Sequence, residues 1–195
     1  SVVSHELPRS FSLFNIKGER KYLNQVERQQ FYTVAVVRPR KDVRLFCLLL
    51  YYTGARISEI AELRCGSIDF VNQSVTLRTL KRRRPDVFRQ IPLPDHLLQD
   101  LRYYVENLHD DDGLWRFSCR SASRYVKSIM LEAKISGAKS SALGLRHGFA
   151  VHAVRKVPIT QVQKWLGHAS LQTTAIYLNV SGTEERELAR LLWEK

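Results

Sequence analysis

Two arginines, a lysine, a histidine and a tyrosine stand in this chain where they could work on a phosphodiester. In the run Trp165-Leu166-Gly167-His168-Ala169-Ser170-Leu171-Gln172-Thr173-Thr174-Ala175-Ile176-Tyr177, a histidine follows a glycine turn and a tyrosine lies on the apolar helix beyond. A phenol can attack phosphorus, and an imidazole beside it can hydrogen-bond the phosphate. Arg56, in Thr53-Gly54-Ala55-Arg56-Ile57-Ser58-Glu59, opens a helix after a very apolar one that Gly54 stops. A guanidinium on so well packed an element can be aimed with little loss of rotamer entropy, and Glu59, one turn on, is placed to orient it. Arg146, in Leu143-Gly144-Leu145-Arg146-His147-Gly148-Phe149-Ala150, is expected in the first turn of a helix, where a phosphate also gains from free amide groups. Lys81 begins the turn Lys81-Arg82-Arg83-Arg84 between two predicted strands. A lysine crowded by cations gives up its proton more readily and becomes an acid for an alkoxide leaving group, a task that arginine does not suit.

Each of these residues also has a plainer reading. Arg56 with Glu59 is a common surface ion pair, and from that segment alone the two readings are even. Arg82, Arg83 and Arg84 read best as a solvated basic hairpin gripping DNA phosphates, and Arg89 on the next strand is grouped with them as a DNA contact. A histidine on a packed helix is more often a hydrogen-bonded structural residue, so His147, like Glu59, stands only as catalytic support. Tyr177 alone would be a half-buried aromatic with its hydroxyl satisfied. In the order Arg56, Lys81, Arg146, His168, Tyr177 the chemical reading prevails.

The elements that must position these residues are mainly helical. Apolar residues recur at helical spacing over Tyr22–Val37, Asp42–Thr53 (the central buried helix), Ile57–Leu63, Pro94–Leu108, Ser121–Lys134, Leu145–Lys156, Ile159–Leu166 and Leu171–Leu178. A last helix follows the capping box Ser181/Glu184, runs to Trp193 and carries Leu188, Leu191, Leu192 and Trp193. Three short runs rich in β-branched residues, Ser67–Val71, Ser74–Leu80 and Val87–Ile91, predict strands. The expected architecture is α+β, mainly α-helical, with a small three-stranded antiparallel sheet. Residues 1–18 are expected to form a linker or arm, and 19–195 one domain.

Composition narrows the partner. The chain has 195 residues and a formal charge of +12, which points to a polyanion, most often nucleic acid. Cys47, Cys65 and Cys119 fit neither a disulfide framework nor a zinc spacing and read as thiols in a reducing compartment. No apolar run approaches the roughly twenty residues of a membrane span, and no signal peptide is visible. Because the chain opens at Ser1 and its only methionine is Met130, it is expected to be a processed product or part of a longer protein.

These boxes resemble the tyrosine recombinase family, of phage-integrase type, whose members break and rejoin DNA. Thr-Gly-Ala-Arg-Ile-Ser-Glu-Ile is similar to the first arginine box, Leu-Arg-His-Gly-Phe-Ala to the second, and Leu-Gly-His-Ala-Ser-Leu-Gln-Thr-Thr-Ala-Ile-Tyr to the terminal box. The resemblance implies the family's catalytic-domain fold, with Arg56, Lys81, Arg146, His168 and Tyr177 in the catalytic positions. It also implies a 3′-phosphotyrosyl intermediate formed without metal, nucleotide or other cofactor. The implied partner is double-stranded DNA, bound by a homotetramer; the last helix either covers its own domain or, as the resemblance implies, docks on a neighbouring protomer. Location would be the cytoplasm of a bacterium, at the nucleoid, or of a phage's host, and mobile-element recombination is the broadest wording for the role. Two features depart from the family. Leu143 stands where a histidine is usual, with Lys139, Ser140 and Ser141 as nearby substitutes, and the usual N-terminal helical domain is not in this sequence, which is expected to be either a catalytic fragment or a compact form that grips DNA from one side. The alternatives are a catalytically inactive DNA-binding regulator of this fold, a type IB topoisomerase, and a plain helix-turn-helix factor.

Overall fold

The computed structural model describes residues 12–79, 87–168, 170–179 and 183–194. Helix α1 (Gln25–Ala35) starts where Asn24 accepts the Glu27 amide at 2.9 Å and Glu27 reaches back to the Asn24 amide at 3.0 Å, a reciprocal cap. Helix α2 (Lys41–Thr53) is apolar on most faces and ends at Gly54, whose φ of 64° is a left-handed stop. It runs through the middle of the domain, against α1, α3 (Ile57–Ala61), α4 (Asp95–Tyr104), α5 (Cys119–Glu132) and α6 (Ala142–Ala153). Its Phe46 meets Trp115 and Phe117 edge-on, and Leu45, Leu48, Leu49 and Leu50 complete the main core.

Strands β1 (Ile68–Asp69), β2 (Ser74–Thr79) and β3 (Val87–Pro92) form an antiparallel sheet in sequence order, with Ile68 opposite Val75, Val75 opposite Ile91 and Leu77 opposite Arg89. Val75, Leu77 and Ile91 point to the core. A second apolar cluster joins α6 to α7 (Ile159–Leu166) and to α8 (Leu171–Ala175) with the 3₁₀ turn Ile176–Leu178 that continues it, through Phe149, Ala150, Val162, Leu166 and Tyr177. Helix α9 (Thr183–Trp193) ends the described chain, and its predicted cap residue Ser181 lies outside the described residues.

The mainly helical α+β reading holds, with two local corrections. Helix α6 begins at Ala142 rather than Leu145, because Ser141 accepts the Gly144 amide at 3.1 Å and so caps it earlier. Arg146 therefore lies in the second turn. The stretch read as one helix over 171–178 is split into α8 and the 3₁₀ turn. Within the expected arm 1–18, Leu13 is buried in the second cluster and its carbonyl accepts the Lys21 amide at 2.8 Å, while Ile16 is fully exposed.

Two α6 glycines permit close backbone contact. A Cβ on Gly144 would lie 1.9 Å from the Lys139 carbonyl oxygen, and one on Gly148 would lie 2.5 Å from that of Leu23. The Leu23 amide donates to the Gly144 carbonyl at 3.1 Å, which fixes the strap preceding α1 to α6. Since the obstacle at residue 148 is main chain, Gly148→Ala is expected to cost about 2–3 kcal/mol through overpacking. Urea unfolding with an unchanged midpoint would contradict this close approach.

Candidate active site

Four of the residues singled out by chemistry meet where α2, α6, α7 and the 3₁₀ turn converge. Arg146 is 2% exposed. Its Nη1 donates to the Gly54 carbonyl at 2.9 Å, and its Nη2 to the Leu166 carbonyl at 3.1 Å. The same Nη2 lies 3.3 Å from His168 Nε2. Because a guanidinium only donates, Nε2 is the acceptor in this contact. His168 follows the left-handed stop at Gly167 (φ 72°) that ends α7. Its Nδ1 is 2.8 Å from Thr174 Oγ1, so α8 holds the other side of the ring.

Tyr177 is fully buried, with its hydroxyl 2.8 Å from His147 Nδ1. Its ring stacks on the His168 imidazole at 6.3 Å between centroids and 8° between planes. Arg56 is exposed at the start of α3, within electrostatic reach of Arg146, His147, His168 and Tyr177.

Burial and crowded positive charge set the protonation states. Burial, then the Arg56 charge, lowers the Arg146 guanidinium to about 10, so it stays charged at neutral pH. Burial followed by Arg146 and other cations lowers His147 to about 4, and burial with Arg146 and Arg56 lowers His168 to about 3. Both imidazoles are therefore neutral at pH 7. Burial pushes the Tyr177 phenol up to about 12 although Arg146 and Arg56 pull it down. A phenol so held keeps its proton and can donate it to the neutral imidazole of His147.

The remaining predicted residues divide. Glu59 does not grip the Arg56 guanidinium. It accepts the Arg56 main-chain amide at 2.8 Å, and its carboxylate pairs with Arg89 Nη1 at 2.6 Å and Nη2 at 2.9 Å. Burial alone would raise the Glu59 carboxyl, but the hydrogen bonds and charge of Arg89 outweigh it and hold it below the ordinary carboxylate range. Arg89, grouped by sequence with the DNA contacts, is 4% exposed and turned inward. The signal for this was period two along β3, since Arg89 shares a face with the core residue Ile91. Thr174, the His168 partner, was also missed, and its type and position carried no particular signal. Lys81, Arg82, Arg83 and Arg84 lie outside the described residues.

None of the candidates for the role that Leu143 leaves open takes it up. Leu143 itself is 49% exposed. Lys139 pairs with Glu27 at 2.9 Å, Ser140 bridges Lys127 and the Ile135 carbonyl, and Ser141 caps α6.

A mainly helical domain that gathers a buried arginine, two neutral histidines and a tyrosine has the parts of a phosphoryl-transfer site. The chain belongs to the phage integrase family, which it matches over residues 21–184. It is 35% identical over 152 residues to tyrosine recombinase XerA of Pyrococcus furiosus, covering 74% of this chain and 52% of that protein. It thus spans about half the length of such relatives. A crystal structure of XerA recombinase superposes with a TM-score of 0.74 at 24% identity, covering 89% of this chain and 65% of the other. XerH site-specific recombinase bound to difH substrate, in a pre-cleavage complex, gives a TM-score of 0.70 at 21% identity, covering 93% of this chain and 60% of that one.

Histidines held neutral make stability depend on acid. Between the ordinary 6.5 and the folded values of about 4 (His147, His152) and about 3 (His168), the unfolded chain binds more protons. Stability from these groups is therefore complete above pH 6.5 and falls as pH drops toward 4. The urea midpoint is expected to decrease over that range, and His147→Gln to flatten the slope without abolishing it. An identical slope in the variant would refute the depressed His147.

Proposed function

We propose that this chain is the catalytic part of a site-specific DNA recombinase that cuts and rejoins strands through Tyr177. The observation that carries the reading is the unbroken chain of contacts from Arg146 through His168 to Tyr177 and His147. Tyr177 Oη gives its proton to His147 Nδ1 and forms a bond to a DNA phosphorus, the bond from phosphorus to the 5′-oxygen breaks, and a 3′-phosphotyrosyl link results. Arg56 and Arg146 hold the non-bridging oxygens and offset the charge that builds in the transition state. His168 adds a hydrogen bond to the same phosphate. Lys81 supplies the proton taken by the departing 5′-oxygen. The covalent link conserves the energy of the broken bond, so rejoining needs no nucleotide.

A duplex nicked close to the cut site releases a short fragment and should trap the protein on DNA as an adduct resistant to detergent. Tyr177→Phe is expected to give none, and Arg146→Ala to slow its formation by about 10²–10³-fold, the usual effect of losing one such donor. An adduct formed by Tyr177→Phe would show that another residue is the nucleophile. Plasmid relaxation without exchange between two sites would instead indicate a topoisomerase.

The exposure of Leu143, with Lys139, Ser140 and Ser141 engaged elsewhere, favours one second reading, a DNA-binding regulator without catalysis. That protein would bind DNA with affinity falling steeply in salt and yield no adduct under any condition.

Helix α9 leaves Leu191, Leu192 and Trp193 exposed, which supports docking on a second copy in a tetramer on DNA. Light scattering with DNA is expected to give that assembly for the wild type and a smaller complex for Leu192→Asp. Equal masses would exclude α9 from the contact.

A further inference from the structure

The Arg89 guanidinium touches three separate elements at once. Nη1 and Nη2 hold both oxygens of Glu59 on α3, at 2.6 and 2.9 Å. Nη1 also donates to Thr79 Oγ1 at the end of β2. Nε donates to the Trp165 carbonyl near the end of α7 at 2.6 Å. Two of these elements carry candidate catalytic groups on the adjoining backbone. Glu59 Oε1 accepts the Arg56 amide at 2.8 Å, and Trp165 precedes the Gly167 turn from which His168 projects.

That turn packs directly on the same group. A Cβ on Gly167 would lie 2.8 Å from Thr79 Oγ1 and 3.0 Å from Arg89 Nη1. The left-handed glycine thus serves two ends, stopping α7 and letting its last turn rest on the guanidinium.

We propose that Arg89 is a positioning residue of the recombinase site, which fixes the start of α3 bearing Arg56 against the α7 turn bearing His168. The assignment rests on the recombinase reading above and replaces a role for Arg89 in contacting DNA. An apolar side chain at residue 89 could keep the elements together, but only a planar fork with several donors fixes their mutual direction. Arg56 and His168 approach one phosphate from different elements, so an error of about 1 Å between them can cost on the order of 100-fold in rate.

The test uses Arg89→Met, Arg89→Lys and Glu59→Gln in the full chain, at a temperature where circular dichroism shows each folded. Three quantities are measured: single-turnover adduct formation on saturating nicked duplex, DNA affinity across a salt series, and ¹H–¹⁵N spectra of the histidine side chains without DNA. Arg89→Met is expected to slow adduct formation about 100-fold, with Arg89→Lys and Glu59→Gln in between. Affinity should stay within about threefold of wild type with the same salt slope, because no phosphate contact is lost. The His168 ring signals should move in all three variants while those of His96, which hydrogen-bonds Tyr52, stay in place.

Three results would overturn the proposal: an unchanged rate, unchanged His168 signals, or a loss confined to affinity with the salt slope reduced by about one. Should Arg89→Met not fold, the lysine and glutamine variants decide the same question. If the wild type itself forms no adduct, the recombinase reading falls, and the histidine spectra still decide whether Arg89 holds the α7 turn.

Discussion

Positive charge held together away from water is the constraint on which this site depends. The Arg146 guanidinium, 2% exposed, is satisfied by the carbonyls of Gly54 and Leu166. Each carbonyl lies at the C-terminal end of a helix, α2 in one case and α7 in the other. Those ends carry the negative pole of the helix dipole, and this makes burial of the cation tolerable. Carbonyl dipoles compensate a charge only in part, however. After burial, crowding by Arg56 still lowers Arg146, and Arg146 with Arg56 helps to hold His168 and His147 neutral. An anion bound there would relieve the remaining imbalance.

The Glu59–Arg89 pair solves the opposite problem. Both side chains are nearly inaccessible, at 3% for Arg89 and 6% for Glu59. A buried ion pair of this kind is weak evidence for stability, because desolvation offsets much of the attraction, yet removing one member strands a charge. Left alone, Glu59 would draw Arg56 and Arg146 toward itself and compete with the phosphate. An unpaired Arg89 would add another cation to a crowded site. Paired, the two cancel, and the net positive field remains on Arg56 and Arg146. Geometry is obtained from the pair at almost no cost in field.

Legibility in the sequence followed how local each cause was. Helix α7 is observed over the predicted residues Ile159–Leu166 because Pro158 and Gly167 mark its ends within the segment itself. The sheet followed from β-branched runs between turn signals, and its order from their adjacency. The start of α6 was misplaced because Gly144 reads locally as a breaker. Its actual role is steric, against the Lys139 carbonyl and in contact with the strap before α1. Arg89 was misread for a related reason. A basic residue after a basic hairpin looks solvated until the alternation of β3 is weighed against composition. That His168 leans on Thr174 and Tyr177 on His147 required the meeting of α6 with α8 and its 3₁₀ turn, which no local pattern contains.

The burial of Tyr177 gives the arrangement its sense. With the phenol raised to about 12 and bound to His147, Tyr177 is protonated and turned away from solvent. The segment that holds it is built from a five-residue helix and a three-residue 3₁₀ turn. Neither is stable alone, since so short a helix does not recover the cost of its nucleation. Tertiary contacts at Thr174 and Tyr177, both fully buried, keep it in place. In the recombinase reading, an arriving phosphate acts on those contacts directly. It competes for the Arg146 Nη2 donor that His168 Nε2 now accepts, and its charge raises the proton affinity of the imidazole. His168 then turns from acceptor to donor, its stacking on the phenol ring is disturbed, and the apolar burial of Tyr177 is exchanged for contact with the anion. In that reading the DNA phosphate would be both the group attacked and the agent that unlocks the attacking residue.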